Sequence, residues 1–220
     1  ITCINVKKHG LSYIPIPKNC STSIKHYLYE MIHGKKFKPN GKLLYVNSYF
    51  SNSNKKNPHR ESYFNQHGPE KSFVVLREPI KRYISGFANR VVKHGALGEN
   101  VDLTLDEFTT DFETYLKKNT ELEHHMSPQT MWIGSDLSMY DWQFTTDEIA
   151  KMSKTISDYT NTDIEFPHKQ ACGPKLKLDD LSKTNFYRLV DYYYEDYRAM
   201  RDYFSIDSIV TEYRNMVDNG

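Results

Sequence analysis

Short apolar runs alternate with amphipathic stretches in the first half of the chain, and helical spacing dominates the second. Residues 11–17 form an apolar run and predict a first strand. From Ser21 to His33, the residues Ile24, Tyr27, Leu28, Met31 and Ile32 recur at helical spacing, which gathers them on one face, and Gly34 is placed to end that helix. Residues 43–50 (LLYVNSYF) predict a second strand, and a short helix is expected over 60–66. Ser72–Arg77 is a continuous apolar run closed by a charge, as a strand buried in a parallel sheet requires. Pro79 follows where the first turn of a helix tolerates it, and Ile80, Tyr83, Ile84, Phe87 and Val91 make the buried stripe of that helix. Thr104–Glu107 and Thr145–Glu148 both spell a capping box and predict helices over 104–118 and 145–159. A longer helix over 182–204 would turn Phe186, Leu189, Val190, Tyr193, Tyr197 and Phe204 inward. The runs 51–58 and 169–177 read as loops. The expected fold is therefore α/β: a small parallel sheet wrapped by helices, with a helical second half.

Composition narrows this picture. With 220 residues, 38% hydrophobic and 14% aromatic, the chain suits a single domain over 1–220 with a real core. No apolar run approaches the roughly 18 residues of a membrane span, so no membrane segment is expected. Cys3, Cys20 and Cys172 are odd in number and lack metal-ligand spacing. Read as free thiols, they favour a reducing, cytoplasmic compartment. The net charge of +1 conceals an asymmetry: residues 1–60 hold eleven Lys/Arg and one acid, Glu30, whereas 99–165 hold fifteen acids and four lysines. The basic part suits an anionic ligand, and the acidic stretch disfavours nucleic acid as a partner.

Two stretches carry candidate chemistry. In the first, the apolar run ends in Pro17-Lys18-Asn19-Cys20-Ser21-Thr22-Ser23 and a helix starts at once. Unpaired N–H groups and the dipole of a helix N-terminus favour an anion there, Lys18 adds a full charge, and three hydroxyls add donors. The loop is P-loop-like in its strand–loop–helix setting, but G-x-x-x-x-G-K-[ST] is absent. In the second, Arg77 ends a buried strand, which delivers a planar cation to the carboxyl edge of the sheet, where α/β proteins bind ligands, and Ser85 lies about two turns into the following helix. Arg82, between them, is expected on the surface.

Together, P-K-x-x-x-T-S at Pro17–Ser23 and R-[DE]-P-x-x-R-x-x-S at Arg77–Ser85 resemble the two nucleotide motifs of sulfotransferases. The resemblance is closest to the carbohydrate group that includes heparan sulfate 2-O-sulfotransferase and the chondroitin enzymes. His125-Met126-Ser127-Pro128-Gln129 is similar to the family's H-W-x-P-Q segment, and Tyr193–Tyr197 to its Y-x-x-D-[YF] closing helix. The resemblance implies 3′-phosphoadenosine 5′-phosphosulfate as co-substrate and a hydroxyl acceptor on a carbohydrate or small molecule. It implies that Lys18, Asn19, Cys20, Ser21, Thr22 and Ser23 hold the 5′-phosphosulfate, that Arg77 and Ser85 hold the 3′-phosphate, and that His125 and Gln129 lie on the acceptor side. Asn19-Cys20 stands where many members carry a small residue, and Met126 where they carry Trp.

Sulfuryl transfer places growing charge on the leaving phosphate oxygen, so a positioned cation lowers the barrier, and Lys18 is the candidate. A metal is not required, and no metal-ligand cluster is visible. The acceptor also needs a general base. Four histidines, His26, His33, His59 and His67, lie between the two nucleotide motifs. If the strand over 43–50 is parallel to its neighbours, it ends near Phe50 at the ligand edge and brings His59 there, while His67 falls at the opposite edge and the other two are carried off along the first helix. His59 is the expected base. Two other readings are a kinase-like phosphotransferase, which should need Mg²⁺ and a Walker-type loop, and a nucleotide-binding module of the same fold without catalysis.

Overall fold

Strands β1 (Ile4–Val6), β2 (Leu11–Ile14), β3 (Lys71–Leu76) and β4 (Trp142–Thr145) form one sheet in the order β1-β2-β3-β4. Helices run in chain order as α1 (Ser21–His33), α2 (Val46–Ser53), α3 (Pro79–Phe87), α4 (Leu105–Thr110), α5 (Phe112–Lys118), α6 (Thr120–Met126), α7 (Thr130–Ile133), α8 (Ile149–Thr160), α9 (Lys183–Tyr192), α10 (Tyr194–Ala199) and α11 (Ile206–Asp218). The structure is a computed structural model and describes residues 3–40, 45–53, 71–98, 102–167 and 173–218. These fall into two compact units, Ile1–Leu76 with Ser138–Gln170 and Arg77–Leu137 with Ala171–Gly220. The α/β class expected from the sequence is the one observed.

The first unit contains the sheet. β2, β3 and β4 are parallel neighbours, with Ile14 opposite Val74 and Leu76 opposite Thr145. The sheet is not wholly parallel as expected, because β1 pairs antiparallel with β2. A tight turn over Lys7–His9 closes that pair, and Gly10 leaves it at φ +57°, a left-handed conformation that glycine adopts without strain. β2 stops at Ile14, short of the predicted residue 17, because Pro15 and Pro17 have no N–H to give the ladder. α1 spans the predicted residues and buries the predicted face: Ile24, Tyr27 and Leu28 are fully enclosed, and Gly34 caps the helix at φ +65°. Tyr13 stacks on Phe73 at 4.8 Å in the same core.

The strand predicted over 43–50 is overturned. Val46–Ser53 is a helix, and β3 pairs directly with β2. Val46 and Phe50, four residues apart, are buried, and Tyr49 packs edge-on against Tyr29 at 5.0 Å. A short apolar run fits both periods, and here packing against α1 selects the helical one. The strand that does flank β3 on its other side is β4. The sequence pattern assigns no element to its first three residues and makes Thr145 a helix cap. Glu148 does accept from the Thr145 N–H at 3.0 Å, but that contact spans the turn leaving β4, and α8 begins only at Ile149.

The second unit is helical. Its core gathers Tyr83, Phe87, Phe108, Phe112, Phe186, Leu189 and Tyr193. The capping box at Thr104 forms as predicted, with Thr104 and Glu107 bonded reciprocally. The helix predicted over 104–118 is broken at Asp111 into α4 and α5, and the one over 182–204 is broken at Tyr193 into α9 and α10. Tyr193 is buried and Tyr194 is 54% exposed, so the tyrosine run divides between core and surface. The loop before α9 passes so close to α3's continuation that a Cβ on Gly173 would lie 2.9 Å from the Ala88 carbonyl oxygen. The short helix expected over 60–66 lies outside the described residues.

Candidate active site

In the first unit, the residues between β2 and α1 form a tight turn in which Lys18 and Cys20 both adopt left-handed backbone, at φ +71° and +57°. For L-residues each such conformation costs about 1–2 kcal/mol. Asn19, fully buried between them, holds the turn: its Nδ2 donates to the Val75 carbonyl of β3 at 2.8 Å, and its N–H to the Ile16 carbonyl at 3.3 Å. Backbone strain held in place by such anchoring is a mark of functional turns, and successive N–H groups in turn conformations form anion cradles. Cys20 occupies the N-cap position of α1 but makes no side-chain capping bond, and the first turn holds no acid. Ser21 is half-buried, Thr22 exposed and Ser23 buried, while Lys18 is partly exposed. Lys18, Ser21 and Thr22 thus have solvent access at the helix N-terminus, whereas Asn19 serves the turn from within.

In the second unit, Arg77 directly follows β3 and is half-buried. Its backbone is gripped by one side chain: its N–H donates to Gln129 Oε1 at 3.1 Å, and its carbonyl accepts from Gln129 Nε2 at 2.7 Å. Glu78 caps α3 by accepting from the Lys81 N–H at 2.6 Å, and the Tyr197 hydroxyl donates to its other oxygen. Burial raises the Glu78 carboxyl above its ordinary value, and these two hydrogen bonds pull it partly back. Ser85, partly exposed, stands on α3, whose first turn begins at Pro79.

Arg82 corrects its expected surface position. It is fully buried, and its Nη1 donates to the Ser127 carbonyl at 2.6 Å. Burial lowers its affinity for the proton, and the charge of Asp196 works against that. The all-round burial of α3, where Arg82, Tyr83 and Ile84 are consecutive buried residues, is invisible to a one-face stripe; the only hint was the fixed Arg spacing of the motif itself. Asp196 carried no assigned role in the sequence, yet it is wholly buried, and both its oxygens accept backbone N–H groups, from Gln129 at 2.7 Å and from Thr130 at 2.8 Å.

His125 is half-buried near the end of α6, with its ring centre 5.1 Å from that of His124, and His124 meets Trp132 edge-on at 4.7 Å. Met126 is core: a Cβ on Gly86 would lie 2.9 Å from its Cγ, so α3 and α6 pack at close range. His59, His67, Lys169 and Cys172 lie outside the described residues. The placement that favoured His59 depended on the strand over 43–50, and α2 removes that premise. Among the described residues, Cys3 and Cys20 form no disulfide. Among the described residues no group of three or more His, Cys, Asp or Glu side chains is placed to hold a metal ion, and no helix is long and apolar enough to cross a membrane.

No curated protein and no solved structure matches the chain significantly. A family model does: that of the sulfotransferase family matches residues 3–201, a span that holds the strained Lys18 turn, the Gln129-gripped Arg77 and the buried Asp196. With nearly the whole chain covered and both motif regions inside the match, the chain belongs to the sulfotransferase family.

Proposed function

We propose that this chain moves a sulfuryl group from 3′-phosphoadenosine 5′-phosphosulfate to an acceptor hydroxyl on a carbohydrate. The observation that carries the reading is the Lys18–Cys20 turn, where anchored backbone strain presents a lysine and a helix N-terminus without a side-chain cap. In the reaction a bond forms from the acceptor oxygen to sulfur as the bond from sulfur to the 5′-phosphate oxygen breaks. The leaving nucleotide keeps the electron pair, and the acceptor proton passes to a base. Lys18 meets the charge growing on the leaving oxygen, while the first N–H groups of α1 with the Ser21 and Thr22 hydroxyls hold the 5′ group. Arg77, a planar fork suited to two parallel hydrogen bonds, takes the 3′-phosphate with Ser85. The resemblance places the base between the two nucleotide motifs, and on that ground alone His59 is proposed for it, with His125 on the acceptor side. Positioning and fixed charge supply the catalysis, with Lys18 in the part a metal ion plays in phosphoryl transfer. The two compact units are read as one sulfotransferase domain, because the family match runs across both.

Isothermal titration with 3′-phosphoadenosine 5′-phosphate tests this directly, and absence of binding at about millimolar ligand would remove the reading. Lys18→Ala should lower turnover by about a hundredfold or more and leave donor affinity nearly intact. Arg77→Ala should instead weaken donor binding. Equal effects of both substitutions on both parameters would count against the two roles. His59→Ala should abolish turnover with donor affinity kept, and unchanged turnover would eliminate it as the base.

A further inference from the structure

Arg77 is the first residue beyond the β3 ladder, whose last pair is Leu76 opposite Thr145. Past that point a strand neighbour no longer fixes the backbone. The Gln129 amide takes over: it accepts from the Arg77 N–H and donates to the Arg77 carbonyl, at 3.1 and 2.7 Å, which is the pair of bonds a neighbouring strand would make. Gln129 is itself fully buried and held from behind. Its own N–H and that of Thr130 point at the two oxygens of Asp196 on α10. The preceding turn is held as well, since Arg82 Nη1 donates to the Ser127 carbonyl at 2.6 Å and the Tyr193 hydroxyl donates to the Met126 carbonyl. A buried carboxylate, a buried guanidinium and a buried amide are costly to desolvate, and a hydrophobic core needs none of them. All three converge on one short turn, and that turn grips the backbone of the one arginine at the end of β3.

We infer that Gln129 and Asp196 are positioning residues for Arg77: Asp196 holds the turn at Gln129, Gln129 holds the Arg77 backbone, and together they set the direction in which the guanidinium meets a 3′-phosphate. This rests on the reading above that Arg77 takes the 3′-phosphate. It moves Gln129 from the acceptor side to the donor side, and it explains why the Gln of the 125–129 segment and the Asp of the closing helix accompany the arginine motif.

The test uses two ligands that differ by one group, 3′-phosphoadenosine 5′-phosphate and adenosine 5′-phosphate, titrated into the parent protein, Gln129→Met, Arg77→Ala and the double variant. Met keeps the volume of Gln and lacks both hydrogen bonds, so the core stays filled. The expected result is that Gln129→Met weakens the bisphosphate by about tenfold or more while changing the monophosphate less than about threefold, and that the double variant binds no more weakly than Arg77→Ala alone. Asp196→Asn should show the same selective loss; if it does not fold, Gln129→Met decides. Equal weakening of both ligands, or additive losses in the double variant, would show a role in general folding and overturn the inference. A parent protein that binds the two ligands equally would instead bring down the reading of Arg77 itself, and the inference with it.

Discussion

Lys25 shows how much one charge depends on its surroundings. It lies one turn beyond Ser21 on α1, and its Nζ donates to Asn47 Oδ1 on α2 at 3.0 Å. Asn47 is neutral, and among the described residues no carboxylate pairs with this ammonium. Burial lowers its pKa from 10.5 to about 8. The sign follows from the depression: near neutral pH the folded protein carries a charge that burial disfavours, while the unfolded chain carries it freely. Between about pH 8 and the ordinary lysine range the folded state has released the proton and the unfolded state has not, so stability from this group rises with pH. Lys25→Met keeps the aliphatic stem and removes the charge. Its melting temperature should exceed that of the parent at about pH 7, and the gap should close toward about pH 10. A gap that is constant or that widens, measured by calorimetry at both values, would show that the ammonium is not desolvated.

At the scale of elements, two stretches with the same spelling have different fates. Thr104–Glu107 forms a reciprocal cap: the Glu107 N–H donates to Thr104 Oγ1 at 3.2 Å, and the Thr104 N–H to Glu107 Oε2 at 2.9 Å. In Thr145–Glu148 the carboxylate reaches the Thr145 N–H at 3.0 Å, but the hydroxyl contributes only a 3.4 Å contact, because Thr145 closes a strand. Thr104→Ala should therefore cost about 1 kcal/mol of stability in denaturant unfolding, because its hydroxyl caps the Glu107 N–H, and Thr145→Ala clearly less, because its hydroxyl makes only the 3.4 Å contact. Equal losses would mean that the strand ending at Thr145 does not decide the matter. The same contrast separates what the chain discloses locally from what it does not. α1 was legible to its last residue because its apolar face, its loop and Gly34 agree. β3 was legible because a run buried on both faces has few alternatives. α2 and β4 were not: four to eight residues with one or two buried positions fit either period, and only the neighbours they meet choose. Around the proposed site, the placement of Lys18 and Arg77 after strands and of Ser85 on a helix was legible. The strain at Lys18 and Cys20, the anchoring by Asn19 and the burial of Arg82 and Asp196 were not, because each depends on residues distant in sequence.

For the whole molecule the relevant property is the uneven distribution of charge behind a net charge of +1. Eleven of the 29 Lys and Arg fall within residues 1–60 against a single acid there, and that stretch carries the Lys18 turn and α1. On the proposed reading, a bisphosphate nucleotide entering such a field would be drawn by long-range attraction in addition to its direct contacts. Salt distinguishes the two contributions, because the screening length falls from about 10 Å at 0.1 M to about 3 Å at 1 M, while hydrogen bonds at van der Waals range persist. If the basic stretch faces the donor, titration of 3′-phosphoadenosine 5′-phosphate should weaken by about tenfold or more between those two salt concentrations. Adenosine, which carries no phosphate, should bind equally at both. Lys18→Ala should flatten the salt dependence only in part, because ten of the eleven cations remain. A bisphosphate affinity that does not change with salt would mean that the charges of residues 1–60 lie away from the donor and serve the protein elsewhere.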